Sequence, residues 1–322
     1  MPEAEVYRVS NQGLMKSNIS NATLVLNARN IVGESIVWDH TRNTLFWVDI
    51  LGRRIHSWSP SSGKHQCWDT PEIVTSIGLR HDDGAIVGLR KRLSLWNFDQ
   101  QFIDLATIEP DQPSNRLNEG VVGPDNDYWV GTMQNNINDD DSPRDVTAST
   151  GHVYKASPDG TILKLSDDTF GITNTLAWRA DGTMIVGDTL QNTLYTYRLK
   201  GLPTTLTERN VYQQGFKRGL PDGSCLDAEG YLWNCRVVGG SCVARFDPDG
   251  QIERIVELPC SWPTSCCFGG PNLDELYVTS ARFTMSDEHL ANHPHEGALF
   301  RIRPGVVGLQ PFRFGASSPM NN

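Results

Sequence analysis

Leu220-Pro221-Asp222-Gly223-Ser224-Cys225-Leu226-Asp227-Ala228-Glu229-Gly230-Tyr231-Leu232-Trp233 is the stretch that decides the fold. It sets a carboxylate, Asp222, just ahead of a short strand over Ser224 to Leu226, turns at Ala228-Glu229-Gly230, and begins a second strand at Tyr231-Leu232-Trp233. Glycine in a turn followed by aromatic and branched residues marks an antiparallel hairpin. The phrase recurs at Glu34 to Trp47, Ser76 to Val87, Asn118 to Trp129, Asn174 to Ile185 and Cys266 to Tyr277. Six copies spaced by roughly 40 to 55 residues fall in the range of propeller blades. Between them lie further turns, Ser59 to Gly63, Ser157-Pro158-Asp159-Gly160 and Asp247-Pro248-Asp249-Gly250, which leave room for four short strands per unit. The expected fold is therefore all-β: a six-bladed β-propeller with four antiparallel strands per blade, closed so that few sheet edges stay open.

A propeller uses 322 residues as one domain, and no composition break divides residues 1–322. Residues 1–30 precede the first clear unit and contain Thr23-Leu24-Val25-Leu26, a strand suited to complete the last blade. The irregular stretch Gln134 to Thr150 lengthens one blade, as a solvated surface loop or as a lid over the channel mouth.

Innermost strands stand side by side around a central channel, so equivalent residues face one another across it. The repeat register puts Glu34, Ser76, Asn118, Asn174, Asp222 and Cys266 in such a ring, none of them basic. Glu34, Asn174 and Asp222 offer oxygen ligands from three blades, a set suited to a hard or borderline divalent ion such as Ca²⁺, Mg²⁺ or Mn²⁺. Arg116 and Asn118 share a strand face and can bond the oxygens of a polyol-like ligand, the alternative being a structural arginine paired with a neighbouring blade. Asp188, on the strand after the Asn174 hairpin, is a further candidate pocket carboxylate.

The net charge of −10 and the lack of a Lys/Arg stripe argue against nucleic acid as a partner. No apolar run is long enough for a bilayer, and Met1 to Arg8 lacks the apolar core of a secretion signal, so a cytoplasmic protein without a membrane partner is expected. The sequons at Asn18-Ile19-Ser20 and Asn21-Ala22-Thr23 need a secretory route to matter. Seven cysteines without a Cys-x-x-Cys pair indicate neither a disulfide framework nor a thiolate zinc site. His289, His293, His295 and Glu296 crowd together, but Asn292-His293-Pro294-His295 reads as a loop without the helical spacing of a zinc motif. No Gly-x-Ser-x-Gly, Walker or dinucleotide motif is present.

The ordered set Gly33-Glu34-Ser35 with Trp38, Arg116-Leu117-Asn118-Glu119-Gly120, Gly131-Thr132-Met133, Asn174 to Trp178, Leu220-Pro221-Asp222-Gly223 and Thr264 to Gly270 resembles the SMP-30/gluconolactonase/LRE-like family, also called the regucalcin or senescence marker protein-30 family. The resemblance implies a six-bladed propeller that binds one divalent cation and hydrolyses a sugar-acid lactone. Carried over position by position, the metal ligands fall on Glu34, Asn174 and Asp222, with Ca²⁺ ahead of Mg²⁺, Mn²⁺, Zn²⁺ or Fe²⁺. Asp222 is also the expected general base, unless a cation-activated water is the nucleophile. Substrate contacts fall on Arg116 and Asn118, and on Asn136 where some members carry glutamate. Glu119 stands where many members have aspartate. The carboxylate-to-amide change at Asn136 alters which hydroxyls are favoured, so gluconolactone itself is not carried over. The expected partner is a small sugar lactone, and the chain a monomer or weak homo-oligomer. The rival readings are a phosphotriester hydrolase of the same fold and a metal-binding propeller without catalysis.

Overall fold

The computed structural model describes residues 22–202 and 204–315. Its strands form six four-stranded antiparallel sheets, five of them running outward in chain order from an inner strand and the sixth completed by the first strand of the chain. The inner strands are Gly33–Asp39, Val74–Leu79, Asn115–Val122, Thr173–Trp178, Leu220–Leu226 and Pro263–Gly269. The expected six-bladed propeller is thus the observed architecture. The sequons and the first residues lie outside the described part.

The hairpin from Leu220 to Trp233 shows how local chemistry sets the blade. Asp227 Oδ1 accepts the backbone N–H groups of Glu229 and Tyr231, an Asx-type turn. Gly230 supplies the positive φ of 82° that this turn requires. Asp227 Oδ2 then takes the indole N–H of Trp233 at 2.9 Å, so the aromatic ring at the start of the next strand is buried with its polar atom satisfied.

Burial follows position in the blade. Val74–Leu79 and Ala85–Leu89 are buried throughout, whereas the outer strand His65–Asp69 is largely exposed. The two inner strands of each blade are covered on both faces by neighbouring blades, and the second of them reads as a largely apolar run, as in Thr44–Asp49 and Ala85–Leu89. Outer strands are not, and they carry polar residues. The core is accordingly distributed as six apolar clusters, one at each seam between adjacent blades.

The ring is closed by pairing the two ends of the chain. The sixth sheet takes three strands from the C-terminal part and its outermost one, Thr23–Leu26, from the N-terminal part, paired with Leu299–Ile302. At the inner end the Thr264 hydroxyl donates to the Gly33 carbonyl, linking the sixth blade to the first. Past the last strand the chain crosses one end of the channel. Gly308 N–H donates to the Leu273 carbonyl, Phe314 N–H to Leu79, and Arg313 meets Asp39 at 2.5 Å. Leu309 to Phe312 thereby cover a cavity of about 160 Å³ at that end, and the opposite end holds the candidate site.

The segment after Gln134 is anchored rather than loose. Arg53 pairs with both Asp141 carboxylate oxygens at 2.7 and 3.0 Å, and Ile137 is buried in the seam between the first two blades. No helix among the described residues is long and apolar enough to cross a membrane. A short helix, Asp287–Asn292, ends where the expected loop begins, so that His293 to His295 lie in the loop, and His289 stacks on His293 at 4.1 Å. Glu296 there accepts Ser261 N–H and Oγ–H and faces His289 at 3.1 Å, a local bracket of the sixth blade.

Removing residues 1–28 should leave Leu299–Ile302 as a bare sheet edge. The expected result is a lower thermal midpoint and concentration-dependent aggregation, read by calorimetry and light scattering. An unchanged midpoint would show that the ring does not need this strand.

Candidate functional site

Every inner hairpin carries one irregularity at the same depth. The ladder shifts between Glu34 and Val37, Val74 and Ser76, Leu117 and Gly120, Asn174 and Leu176, Pro221 and Ser224, and Pro263 and Cys266. In each case the inner strand has one residue more than its partner, a β-bulge that re-aims the preceding side chain. Ser35 and Thr175 take the extra position with φ of 50° and 53°. Glu34, Asn118, Asn174 and Asp222 stand just ahead of the bulge residue and line one chamber of about 230 Å³ at the open end of the channel.

Two members of the expected ring are misplaced. Ser76 and Cys266 lie past the bulge, and the position level with Glu34 is held by Val74 in the second blade and Thr264 in the sixth. Thr264 lines the chamber, whereas Cys266 lines the covered cavity at the far end, with its Sγ 3.6 Å from that of Cys225. Counting residues back from the turn missed this because it does not register where the extra residue is inserted. All seven cysteines are free thiols.

Asp188 is also corrected. It is buried, but its oxygens accept the backbone N–H groups of Gly171, Ile172 and Gln191. Asp49 does the same for Ile31, Val32 and Gly52 in the first blade. These two carboxylates hold the entry loops of their blades and do not face the chamber. His152 turns its Nδ1 to the Asp168 carbonyl, away from the site.

Asn174 is oriented by its neighbours. Its Nδ2 donates to Thr189 Oγ1 at 2.7 Å, and Thr189 passes the bond on to the Pro221 carbonyl of the next blade. That fixes Oδ1 on the side of Asn118, whose Nδ2 reaches it at 3.2 Å and the Thr173 carbonyl at 3.0 Å. Arg116 is buried within its own blade rather than paired to a neighbouring one. It donates to Asn136 Oδ1 at 2.8 and 3.2 Å, to Asn118 Oδ1 at 2.8 Å and to the Leu117 carbonyl at 2.7 Å. Thr189 and Thr264 had no signal of their own in the sequence.

Electrostatically the site is unbalanced. Glu34 and Asp222 take no hydrogen bond from a Lys or Arg among the described residues, and Glu34 accepts only the Ser35 N–H at 3.3 Å. Burial, then the negative charges of Asp222 and Glu119, push the Glu34 carboxyl well above its usual range. Burial followed by repulsion from Glu119 does the same to Asp222. Glu119 is one of the bulge residues, and burial lifts it to about 7. A half-buried and a buried carboxylate beside an amide oxygen, with no paired base, have the donor chemistry that suits a hard divalent cation. Among the described residues no group of three or more His, Cys, Asp or Glu comes together as a candidate metal cluster; the Asn174 amide oxygen lines the same chamber as the two carboxylates.

Comparison with known proteins agrees with this architecture. Residues 32–282 match the SMP-30/Gluconolactonase/LRE-like region, and the chain belongs to that family. It is 35% identical over 289 residues to regucalcin of Xenopus laevis, covering 88% of this chain and 94% of that one. Among solved structures it is similar to a calcium-binding protein, regucalcin, from Agrobacterium tumefaciens, with TM-score 0.83 and 27% identity over 92% of this chain and 98% of that one. It is also similar to a luciferin-regenerating enzyme, with TM-score 0.82 and 26% identity over 92% and 100% of the two chains.

Raised carboxyl pKa values give a signed expectation. The cation-free folded state holds protons that the unfolded chain releases near pH 4. Stability therefore falls as pH rises from about 4 towards at least the value of about 7 at Glu119, and the penalty is constant above the folded pKa values. Thermal midpoints in chelator should decline across that window, and millimolar Ca²⁺ should restore most of the loss. A midpoint indifferent to pH in chelator, or equal with and without cation, would contradict the arrangement.

Proposed function

We propose that the chain is a divalent-cation-dependent lactonase that opens the ring ester of a sugar-acid lactone to the free acid. The observation that carries this reading is the pair of carboxylates without a basic partner, half-buried Glu34 and buried Asp222, beside the oriented amide oxygen of Asn174. Membership of a family whose description includes gluconolactonase supports it.

Glu34, Asn174 and Asp222 are the residues that would hold the cation, with Ca²⁺ first in order and Mg²⁺, Mn²⁺, Zn²⁺ or Fe²⁺ as alternatives. When bound, such an ion supplies a Lewis acid for an ester carbonyl. The chain's own groups do the rest. Asp222 accepts the proton of the water that attacks the carbonyl carbon, and that proton passes to the ring oxygen as its bond to the carbonyl carbon breaks. Arg116 braces Asn118 and Asn136 so that their amides face the substrate from the third blade. The surrounding walls exclude bulk water and strengthen each of these contacts. The substrate is a small molecule, as a chamber of about 230 Å³ requires, and the active unit is a monomer or weak homo-oligomer.

The test is a pH-stat screen of pentono-, hexono- and deoxyhexono-lactones with Ca²⁺, Mg²⁺, Mn²⁺ and Zn²⁺, run beside a phosphotriester at equal metal occupancy. Lactone turnover that stops in chelator is expected. Asp222→Ala should lose tight cation binding in calorimetry and at least about a hundredfold in kcat/KM, while keeping the far-ultraviolet circular dichroism of the parent. Undiminished lactone hydrolysis in that variant, or faster phosphotriester hydrolysis by the parent, would overturn the reading.

A further inference from the structure

Apolar side chains line the chamber all round, Met133 and Ile137 of the third blade included, but its polar ones are placed unevenly. Beyond the three candidate ligands and the threonines, its polar side chains come from one side only, as Arg116, Asn118 and Asn136 of the third blade. Much of their capacity is already used: the Arg116 guanidinium is spread over Asn136, Asn118 and a carbonyl, and Asn118 Nδ2 over Asn174 and Thr173. Across the axis, the sixth blade contributes Trp262 and Phe283, flanked by Val238 of the fifth blade and Val32 of the first. These four offer hydrocarbon and, at Trp262, one indole N–H.

A polyhydroxylated tail laid on that wall would give up water for few partners. Each buried hydroxyl left unpaired costs on the order of tenfold in affinity, whereas each methylene buried there gains about fourfold.

The backbone marks the same region independently. Among the described residues the β-branched ones in the left-handed region are Thr175, Val238 and Thr284, with φ of 53°, 58° and 64°. Thr175 is the bulge residue beside Asn174, and the other two form the chamber rim. A valine there is strained, and it is half exposed at 50%. Strain that holds an exposed apolar side chain at a binding mouth is accounted for by an apolar ligand group meeting it.

We infer that the ligand is a lactone amphipathic across its ring, with oxygen substituents towards Arg116, Asn118 and Asn136 and a hydrocarbon substituent against Trp262, Phe283 and Val238. The inference rests on the lactonase reading for the ring ester and on the chamber walls for the substituent. Its substrates are deoxygenated or alkyl-substituted lactones in preference to fully hydroxylated ones.

The experiment compares, with the full chain in Ca²⁺, the hydrolysis of a hexono-1,4-lactone, the matching 6-deoxyhexono-1,4-lactone and a 1,4-lactone with a longer alkyl tail. Calorimetric binding of the corresponding non-hydrolysable lactams is measured in parallel. The deoxy and alkyl members should exceed the hexono member at least tenfold in kcat/KM, and their lactams should bind more tightly. Val238→Ser and Phe283→Ala should each reduce that preference severalfold, mainly through KM. Two variants are used because Phe283 also packs against the seam between the first two blades. Equal or reversed preference in the parent overturns the inference and leaves the lactonase reading standing. Tight binding of the alkyl lactam without turnover of any lactone overturns the lactonase reading and supports the apolar wall. Absence of both binding and turnover overturns the two together.

Discussion

One extra residue in each inner strand, at the same depth in all six blades, is the constraint on which the site depends. An uninterrupted ladder would alternate side chains strictly between the two seams flanking a blade and send none along the axis. The bulge breaks that alternation and bends the strand. Where it falls after Glu34, Asn118, Asn174 and Asp222, polar side chains are delivered to the channel. Non-glycine residues at the left-handed positions Ser35 and Thr175 carry about 1 to 2 kcal/mol of strain each. Their hydroxyls offset part of it by tying adjacent blades together: Ser35 Oγ accepts Ile77 N–H, and Thr175 donates to the Asp222 carbonyl. The same backbone feature thus aims the site and joins the blades that build it.

That delivery creates an electrostatic problem that the protein alone leaves open. Glu34, Asp222 and Glu119 come from three different blades, and each is raised by burial. Arg116 lies near Glu34 and Arg236 near Asp222, but both guanidiniums spend their hydrogen bonds on amides and carbonyls. Both are themselves lowered to about 10 by burial. Removing a partner from a buried charge costs several kcal/mol, so carboxylates without a basic partner favour the protonated form in the cation-free fold. A cation held there, as proposed, would compete with the proton for the same oxygens, which would couple its affinity to pH.

The architecture was legible because each blade repeats its turn chemistry, and Asp227 with Gly230 shows why that chemistry survives in the sequence: both residues are needed by the backbone itself. The ring of site residues was only partly legible. Glu34, Asn174 and Asp222 meet in one chamber as their spacing suggested, and Arg116, Asn118 and Asn136 adjoin them. Ser76 and Cys266 do not, because the insertion in their blades falls before them rather than after. Asp188 was misread since a carboxylate near a pocket and one that holds a loop look alike in sequence; only the N–H groups of Gly171 and Ile172 tell them apart. Thr189 was invisible because its role is to orient Asn174, a second-order effect of tertiary placement.

The blades divide the work by what stands at the re-aimed position and on the loop above it. The first, fourth and fifth place oxygen donors on the axis, the third places amides, and the sixth places a threonine beneath Trp262 and Phe283. The second places Val74, fully buried in the seam with the first blade, and adds no side chain to the chamber. A cation site needs only the three donors and would bind equally well under a wholly polar mouth. The apolar wall therefore has no purpose in holding an ion. On the proposed reading it would select what sits above the ion, so that affinity for the cation and choice of substrate would be set by different blades and could vary separately on an unchanged frame.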